Sequence, residues 1–324
     1  MKEWPKPTLL ISKCLNDHKC RYDGSSATSD TFKTLLPYIN IIEVCPEQDI
    51  GLETPREAIR LMSQNNSIHL ISPKLNKDYT KQMTELADDI ICKLKQKDID
   101  GALLKSHSPS CGIKDIKIYY SDKKGSASSK GSGIFGGKLC DSFSSLPIED
   151  EGRINNFLIR EHFLTRIFTL AEFKTVYSTN KISSLLEFHA KNKLLFMAYN
   201  QTGLKKLGNI AANRLSLNID EVFKEYYKEL CNQFLKLPRY TSVINVFNHA
   251  LGYFDKELNS KEKNFFNELI EKFRVGKIPQ SVIINLLKSY AIRFNNDYLL
   301  SQTLLEPYPE ELIDICDSGK GTVR

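Results

Sequence analysis

Short apolar runs alternate with amphipathic stretches through the first half of the chain, and a helical period takes over in the second. Leu9 to Lys13 reads as a strand, Asp30 to Tyr38 as a helix with Phe32, Leu35 and Leu36 on one side, and Ile41 to Val44 as a second strand. This βαβ order predicts a parallel sheet with a right-handed crossover. Ile59 to Met62 and Ile68 to Ile71 flank the turn-forming Asn65-Asn66-Ser67, which fits a hairpin. The competing reading is a short helix opened by Thr54-Pro55-Arg56-Glu57, a capping-box pattern with proline at the first helical position. Asp78 to Lys95 reads as a helix, with Met83, Leu86, Ile90 and Leu94 at helical spacing, and Ala102 to Lys105 as a further strand.

A boundary is expected near Leu146-Pro147-Ile148 and the acidic Glu149-Asp150-Glu151-Gly152. Beyond it Val222, Tyr226, Leu230 and Phe234 recur every fourth residue, and Leu185, Leu186, His189 and Met197 mark another helical face. The expected fold is an α/β domain over residues 1–150, with an open, mainly parallel, Rossmann-like sheet. An all-α helical bundle follows over 151–324, and the polar end from Asp317 to Arg324 is expected to fray. The Gly/Ser/Lys-rich stretch from Gly125 to Gly137 has the composition of a phosphate-wrapping loop but lacks the Gly-Lys-Ser/Thr ending, so it reads as a mobile loop.

With 324 residues the chain exceeds what one core usually takes, which agrees with two domains. The apolar fraction of 41% and charged fraction of 26% exclude wholesale disorder. No apolar run approaches the roughly 20 residues a membrane helix needs. The opening Met1-Lys2-Glu3-Trp4-Pro5 lacks the apolar core of a signal peptide, so a cytoplasmic protein is expected. Net charge is +6, and residues 151–324 carry 24 Lys+Arg against 19 Asp+Glu, so most of the excess lies there. A polyanionic partner fits this skew, although ordinary proteins carry as much.

Eight cysteines, Cys14, Cys20, Cys45, Cys92, Cys111, Cys140, Cys231 and Cys316, are scattered over a large chain, a usage that favours thiols, metal ligands or catalysis over disulfides. Three of them directly follow apolar runs: Cys14 after Leu9 to Lys13, Cys45 after Ile41 to Val44, and Cys111 after Ala102 to Lys105 and a Ser-Pro-Ser turn. If these runs are neighbouring strands, three sulfurs meet in the crevice at the carboxyl ends where open α/β sheets bind ligands. Three soft donors without an obvious fourth suit an iron–sulfur cluster with one iron open for chemistry; ordinary buried thiols are the plainer alternative.

The residues around these cysteines carry a family resemblance. Cys14-Leu15, Arg21-Tyr22-Asp23-Gly24, Val44-Cys45-Pro46-Glu47, Ile50-Gly51-Leu52, Pro55-Arg56-Glu57 and Lys105-Ser106-His107-Ser108-Pro109-Ser110-Cys111-Gly112 resemble the thiouracil desulfidase family over residues 8 to about 148. From about residue 150 the chain resembles the helical YbgA-type domain found fused behind it. That match rests on Glu151-Gly152-Arg153-Ile154-Asn155, the run Phe188 to Leu195, Asn245-Val246-Phe247-Asn248-His249 with Gly252-Tyr253-Phe254, and Pro307-Tyr308-Pro309.

The resemblance implies a 4Fe-4S cluster held by Cys14, Cys45 and Cys111, whose open iron takes sulfur from a thiolated uracil. Similar fused proteins act on 4-thiouridine in tRNA, giving uridine, and the helical domain would then help hold the RNA. Free thiouracil as substrate, or a non-catalytic iron–sulfur or RNA-binding sensor, are the alternatives. Glu47 is placed to activate water and Ser108 to donate a hydrogen bond or relay a proton. Glu43 is the rival carboxylate: alternation puts Glu43, Cys45 and Glu47 on one face if the strand continues, and Pro46 suggests that it stops. Glu47 could instead cap a helix or pair with Arg56. Arg21, Tyr22, Asp23 and Arg56 are candidates for substrate contact, with an Arg–Asp brace of the loop as the other account.

Cys20 stands where the family commonly has a small apolar residue, and is read as packed unless it closes the cluster's fourth position. His189 and His249 read as packed or capping residues. Lys191, Lys193, Lys205, Lys206 and Arg239 are candidates for phosphate contact on charge alone.

Overall fold

The structure is a computed structural model that describes residues 3–314 apart from Thr28, Asn66, Asp122, Lys124 and Leu215. Cys316 and the polar end from Asp317 lie outside the described residues, as does the middle of the expected Asn65-Asn66-Ser67 turn. Two compact units divide the chain: one runs through Ala171 and resumes at Glu311, and the other is Glu172–Glu310.

The first unit opens with β1 (Thr8–Ser12), α1 (Asp30–Leu35), β2 (Asn40–Val44) and α2 (Pro46–Asp49). It continues through β3 (Arg60–Gln64), β4 (Ser67–Ser72), β5 (Lys77–Asp78), α3 (Thr80–Leu94) and β6 (Gly101–Leu104). Next come β7 (Ile116–Tyr119), β8 (Ser128–Gly131), α4 (Ile134–Ser142), β9 (Ile148–Asp150) and α5 (Phe157–Thr179), and the division between the units falls within α5.

The four-stranded sheet has the order β2-β1-β6-β9 and is parallel throughout. Leu9, Leu10, Ile11 and Ser12 of β1 are all buried, as is every residue of β6. Such continuous burial is what parallel strands covered on both faces require. The expected joint at Glu149-Asp150 is the edge strand β9, paired with β6 through Ala102↔Ile148 and Leu104↔Asp150. A second, mixed sheet has the order β5-β4-β3-β7-β8. Its β3 and β4 form the hairpin, in antiparallel register from Arg60↔Ile71 to Gln64↔Ser67. The competing helix at Thr54 to Glu57 does not form; Thr54–Pro55 is a cis peptide in a bend.

Helix α3 buries Met83, Ala87, Ile91 and Leu94, and Leu86 and Ile90 flank that stripe instead of forming it. Both sets cover an arc of equal width at this pitch, so periodicity does not choose between them, and tertiary packing sets which side faces the core. Ala87 and Ile91 join Leu10, Val44, Ala102, Leu104, Phe135, Leu139 and Cys111 in one core.

The second unit is helical: α6 (Ile182–Lys191), α7 (Lys193–Tyr199), α8 (Gln201–Ala211), α9 (Ile219–Gln233), α10 (Tyr240–Leu251), α11 (Ser260–Arg274), α12 (Gln280–Arg293) and α13 (Asp297–Leu300). The Val222, Tyr226, Leu230 and Phe234 stripe is buried, whereas Leu186, expected beside Leu185, is exposed. Capping boxes start α9 (Asn218 with Glu221) and α11 (Asn259 with Glu262), each satisfying backbone N–H groups that a helix leaves open. Among the described residues no helix is long and apolar enough to cross a membrane.

Candidate functional site

The strands that precede the three cysteines are neighbours, with β1 between β2 and β6. Cys14 lies in the helical turn Lys13–Leu15 just past β1, and Cys45 follows β2 directly and caps the start of α2. Both positions are set by where a strand ends, and the register Ser12↔Val44 brings those ends level. All three cysteines are buried, at 7%, 6% and 3% exposure for Cys14, Cys45 and Cys111.

Cys111 is farther from its strand and is delivered by a built loop. Lys105 N donates to Ser12 Oγ at 2.9 Å, and Ser106 donates to Glu151 through its backbone N (2.6 Å) and its hydroxyl (2.7 Å), with Lys105 Nζ also on that carboxylate. The Ser108 hydroxyl accepts from the N–H groups of Ser110 (3.2 Å) and Cys111 (3.1 Å). From below, the start of α4 donates into the same loop: Gly133 N to Gly112 O (2.7 Å), Ile134 N to Pro109 O (3.2 Å) and Gly136 N to Ser110 O (2.9 Å). A Cβ at Gly133 would stand 2.5 Å from Ser110 O, and one at Gly136 2.3 Å from Cys111 O. The mobile loop expected over Gly125 to Gly137 is therefore corrected in its second half: Ser128–Gly131 is strand β8, and Gly133 to Gly136 is the packed floor of the Cys111 turn. Its glycines serve close backbone approach, which composition alone does not distinguish from flexibility.

Glu47 is buried at 9% exposure in the first turn of α2. Its Oε1 accepts from Ser108 Oγ at 3.2 Å, and its Oε2 meets Cys45 Sγ at 3.9 Å. Burial first, and then the Glu47 charge, push the Cys111 thiol up; hydrogen bonds from Ser12 and Ser108 oppose this. Hydrogen bonding with Cys20, then burial, then Glu47 do the same to Cys45. Thiols raised in this way stay neutral unless a bound cation shares their charge. Among the described residues no three His, Cys, Asp or Glu side chains close around a single metal ion.

Glu43 is drawn elsewhere. It accepts from Asn16 Nδ2 at 2.8 Å and lies 3.1 Å from His18 Nε2, because the strand stops at Val44 and Pro46 turns the chain into α2. Arg21 and Asp23 face each other at 3.7 Å, and hydrogen bonds from Ser25 hold the Asp23 carboxyl below its ordinary range. Tyr22 is exposed. Arg56 braces backbone: its Nη1 donates to Cys20 O (3.0 Å), Thr54 Oγ1 (3.2 Å) and Glu53 O (3.3 Å). Cys20 packs with Cys14, Cys45 and Ala27. Its thiol is raised to about 11, with the Cys14 hydrogen bond the leading cause.

Sequence reasoning missed Ser12, Glu151, Gly133 and Gly136 as supports; the one signal for the glycines was their position shortly after Cys111. In the helical unit His189 meets Tyr226 Oη at 2.9 Å and burial pushes its pKa down, while the His249 ring packs on Tyr253. Lys191 is tied to Glu172 at 2.5 Å and Lys206 to Glu229 at 3.7 Å.

Comparison with known proteins places these geometries. The family model described as 2-thiouracil desulfurase matches residues 9–151, which span all three strand-end cysteines, Glu47 and Ser108. The Bacillus subtilis uncharacterized protein YbbK is 31% identical over 109 residues, covering 32% of this chain and 72% of that protein. The chain belongs to the 2-thiouracil desulfurase family. A second family model, described as a protein of unknown function (DUF1722), matches residues 193–309 of the helical region. The Escherichia coli uncharacterized protein YbgA is 27% identical over 158 residues, covering 48% of this chain and 93% of that protein. Among solved structures, a [4Fe-4S]-dependent thiouracil desulfidase, TudS, matches with 28% identity and a TM-score of 0.36, covering 46% of this chain and 93% of that one.

Proposed function

We propose that this protein is an iron–sulfur desulfidase that replaces the sulfur of 4-thiouridine in tRNA by oxygen, giving uridine. The observation that carries the reading is one buried site at three adjacent strand ends, where Cys14, Cys45 and Cys111 gather beside a carboxylate that a serine hydroxyl orients. The donor set fits a cluster: its sulfurs are soft and buried, and a cluster spreads its ligands over separate irons instead of one centre. When bound by Cys14, Cys45 and Cys111, a 4Fe-4S cluster with one open iron supplies a soft Lewis acid for the thiocarbonyl sulfur.

Glu47 is the general base. Ser108 donates to its Oε1; Oε2, which accepts from the Cys45 thiol, is freed when Cys45 is a thiolate and takes a proton from water as the water oxygen attacks C4. The new C–O bond forms, the C–S bond breaks, and sulfur departs as hydrosulfide; water supplies both the oxygen and the protons, and no electron is consumed. The N–H groups of Ser110 and Cys111 hold Ser108 in place, so the base is tied to the loop that carries Cys111. Burial of Glu47 keeps bulk water from competing for its proton.

The tRNA assignment rests on the basic excess of residues 151–324 and on the fused helical region, and it implies a cytoplasmic enzyme. Free thiouracil is the second reading, favoured by the description of the matched family. Anaerobically reconstituted protein incubated with bulk tRNA, followed by nucleoside analysis, separates them. Loss of 4-thiouridine with gain of uridine is expected. Consumption of free thiouracil alone selects the second reading, and an iron-loaded protein that turns over neither is a sensor, which overturns the proposal.

A further inference from the structure

Four serines frame the turn that carries Cys111, and the hydroxyls of three have protein partners. Ser12 Oγ accepts from Lys105 N at 2.9 Å, and Ser106 Oγ donates to Glu151 at 2.7 Å. Ser108 Oγ donates to Glu47 and accepts from two backbone N–H groups. Ser110 is the exception. It is 0% exposed, and its Oγ has no hydrogen-bond partner among the described residues.

The backbone holds Ser110 where it is. Its N donates to Ser108 Oγ at 3.2 Å and its O accepts from Gly136 N at 2.9 Å. On either side, Pro109 O accepts from Ile134 N (3.2 Å) and Gly112 N donates to Ser108 O (2.9 Å). A Cβ on Gly133 would stand 2.5 Å from Ser110 O, so the turn and α4 are already in close contact and cannot shift to offer the hydroxyl a partner. Enclosed hydroxyls are paired as a rule, because burial gives up the hydrogen bonds of water and something must replace them.

Exposure separates two kinds of partner. A group that meets substrate keeps a path to solvent: Ser108 is half-buried and Glu47 is 9% exposed, whereas Ser110 has no exposure at all. Cluster sulfurs, by contrast, are electron-rich acceptors with no proton of their own, and a serine hydroxyl has one to donate. We propose that Ser110 donates a hydrogen bond from its Oγ to a sulfur of the cluster that the adjacent Cys111 helps to hold. Such a bond draws charge from the sulfur, favours the more negative, reduced form of the cluster, and raises its reduction potential. It also links stability to loading, because the bare chain buries an unpaired hydroxyl and the loaded protein buries a paired one. This inference rests on the cluster reading above.

The test compares wild-type protein with Ser110→Ala, each in the iron-free form and after anaerobic reconstitution. Four quantities are read: iron and sulfide content, the midpoint of thermal unfolding in both forms, the reduction potential by EPR-monitored titration, and deuteron couplings to the reduced cluster by ENDOR after exchange into D2O. Iron-free Ser110→Ala is expected to unfold at or above the wild-type midpoint, since it lacks the unpaired hydroxyl. Loading should then raise its midpoint by less than it raises that of the wild type. The potential of the loaded variant should fall, and one exchangeable deuteron coupling should disappear; a variant that is stable iron-free but loads poorly agrees with the same role. Equal destabilisation of both forms with an unchanged potential makes the partner a buried water and overturns the proposal. A variant that is unstable iron-free and fails to load makes Ser110 a support of the turn only, which also overturns it. Failure of the wild type to load iron at all would instead overturn the cluster reading itself.

Discussion

The α/β unit buries sulfur and carboxylate where its strands end, and the helical unit buries aromatic rings throughout. Around Cys45 the buried neighbours are Cys14, Cys20, Glu47 and Cys111, each able to bond a metal, a proton or a substrate. Around Phe173 they are Phe188, Phe223 and Tyr226, with ring centroids 5.4–6.2 Å from it, and the less buried Tyr177 and Tyr227 close the group. The buried polar groups of the helical unit close backbone gaps: Gln233 Nε2 donates to Phe196 O (2.5 Å), and Gln302 Oε1 accepts from Leu194 N (3.1 Å). Burial by itself is thus no mark of function. Buried polar groups that support one another without a structural debt to backbone are the ones that carry chemistry.

Substitutions should divide along the same line. Cys111→Ala, Cys14→Ala or Cys45→Ala is expected to abolish the brown chromophore and all turnover, while Cys92, Cys140 and Cys231 variants keep both; iron content and visible absorbance decide this. Gly136→Ala is expected to come next, since its Cβ meets the Cys111 carbonyl at 2.3 Å; it should cut cluster occupancy while circular dichroism shows the fold retained. Glu47→Gln should keep the cluster and lower single-turnover rate by about 10²-fold or more, the usual range for losing a general base. Normal activity in that variant would refute the base assignment.

Phe173→Ala is expected to invert the pattern. It should destabilise the protein by about 3–5 kcal/mol, the range for emptying an aromatic core site, without altering iron content when assayed well below the transition. The smallest expected effect is at His162, where burial and then the Arg166 charge hold the pKa down to about 3. The folded state keeps this imidazole neutral while the unfolded chain takes up a proton near its ordinary value, so protons favour unfolding. Stability is then intact above about pH 6.5 and falls as pH drops toward 3, by ~2 kcal/mol at pH 5 from this group. His162→Gln should flatten that part of a denaturation profile measured across pH, and an unchanged slope counts against it.

Much of this division is legible from residue order. The strands β1, β2 and β6 announce themselves as short apolar runs, and helix α3 and the Val222 to Phe234 stripe by helical period, because a helix buries one face and repeats it at its own pitch. Alternation and Pro46 argue in opposite directions for Glu43 and Glu47; the turn at Pro46 into α2 sets Glu47 against Cys45 and Ser108 and leaves Glu43 with Asn16 and His18. Cys20 read as a packed position and is one; nothing local to residue 20 reveals that its packing partners are Cys14 and Cys45. The glycines after residue 130 read as mobility because flexibility and close packing draw on the same residue type.

The linear order of residues alone thus determined where strands and helices run, that the chain changes class part-way, and that three thiols each follow an apolar run. Only the tertiary structure decided that β1 lies between β2 and β6, that Gly133 and Gly136 carry the Cys111 turn into place, and that a fourth sulfur joins the group. The reason is range: side-chain periodicity is fixed by backbone pitch over a few residues, whereas strand order and loop-on-helix contact depend on segments far apart in the chain, whose pairing no local pattern encodes.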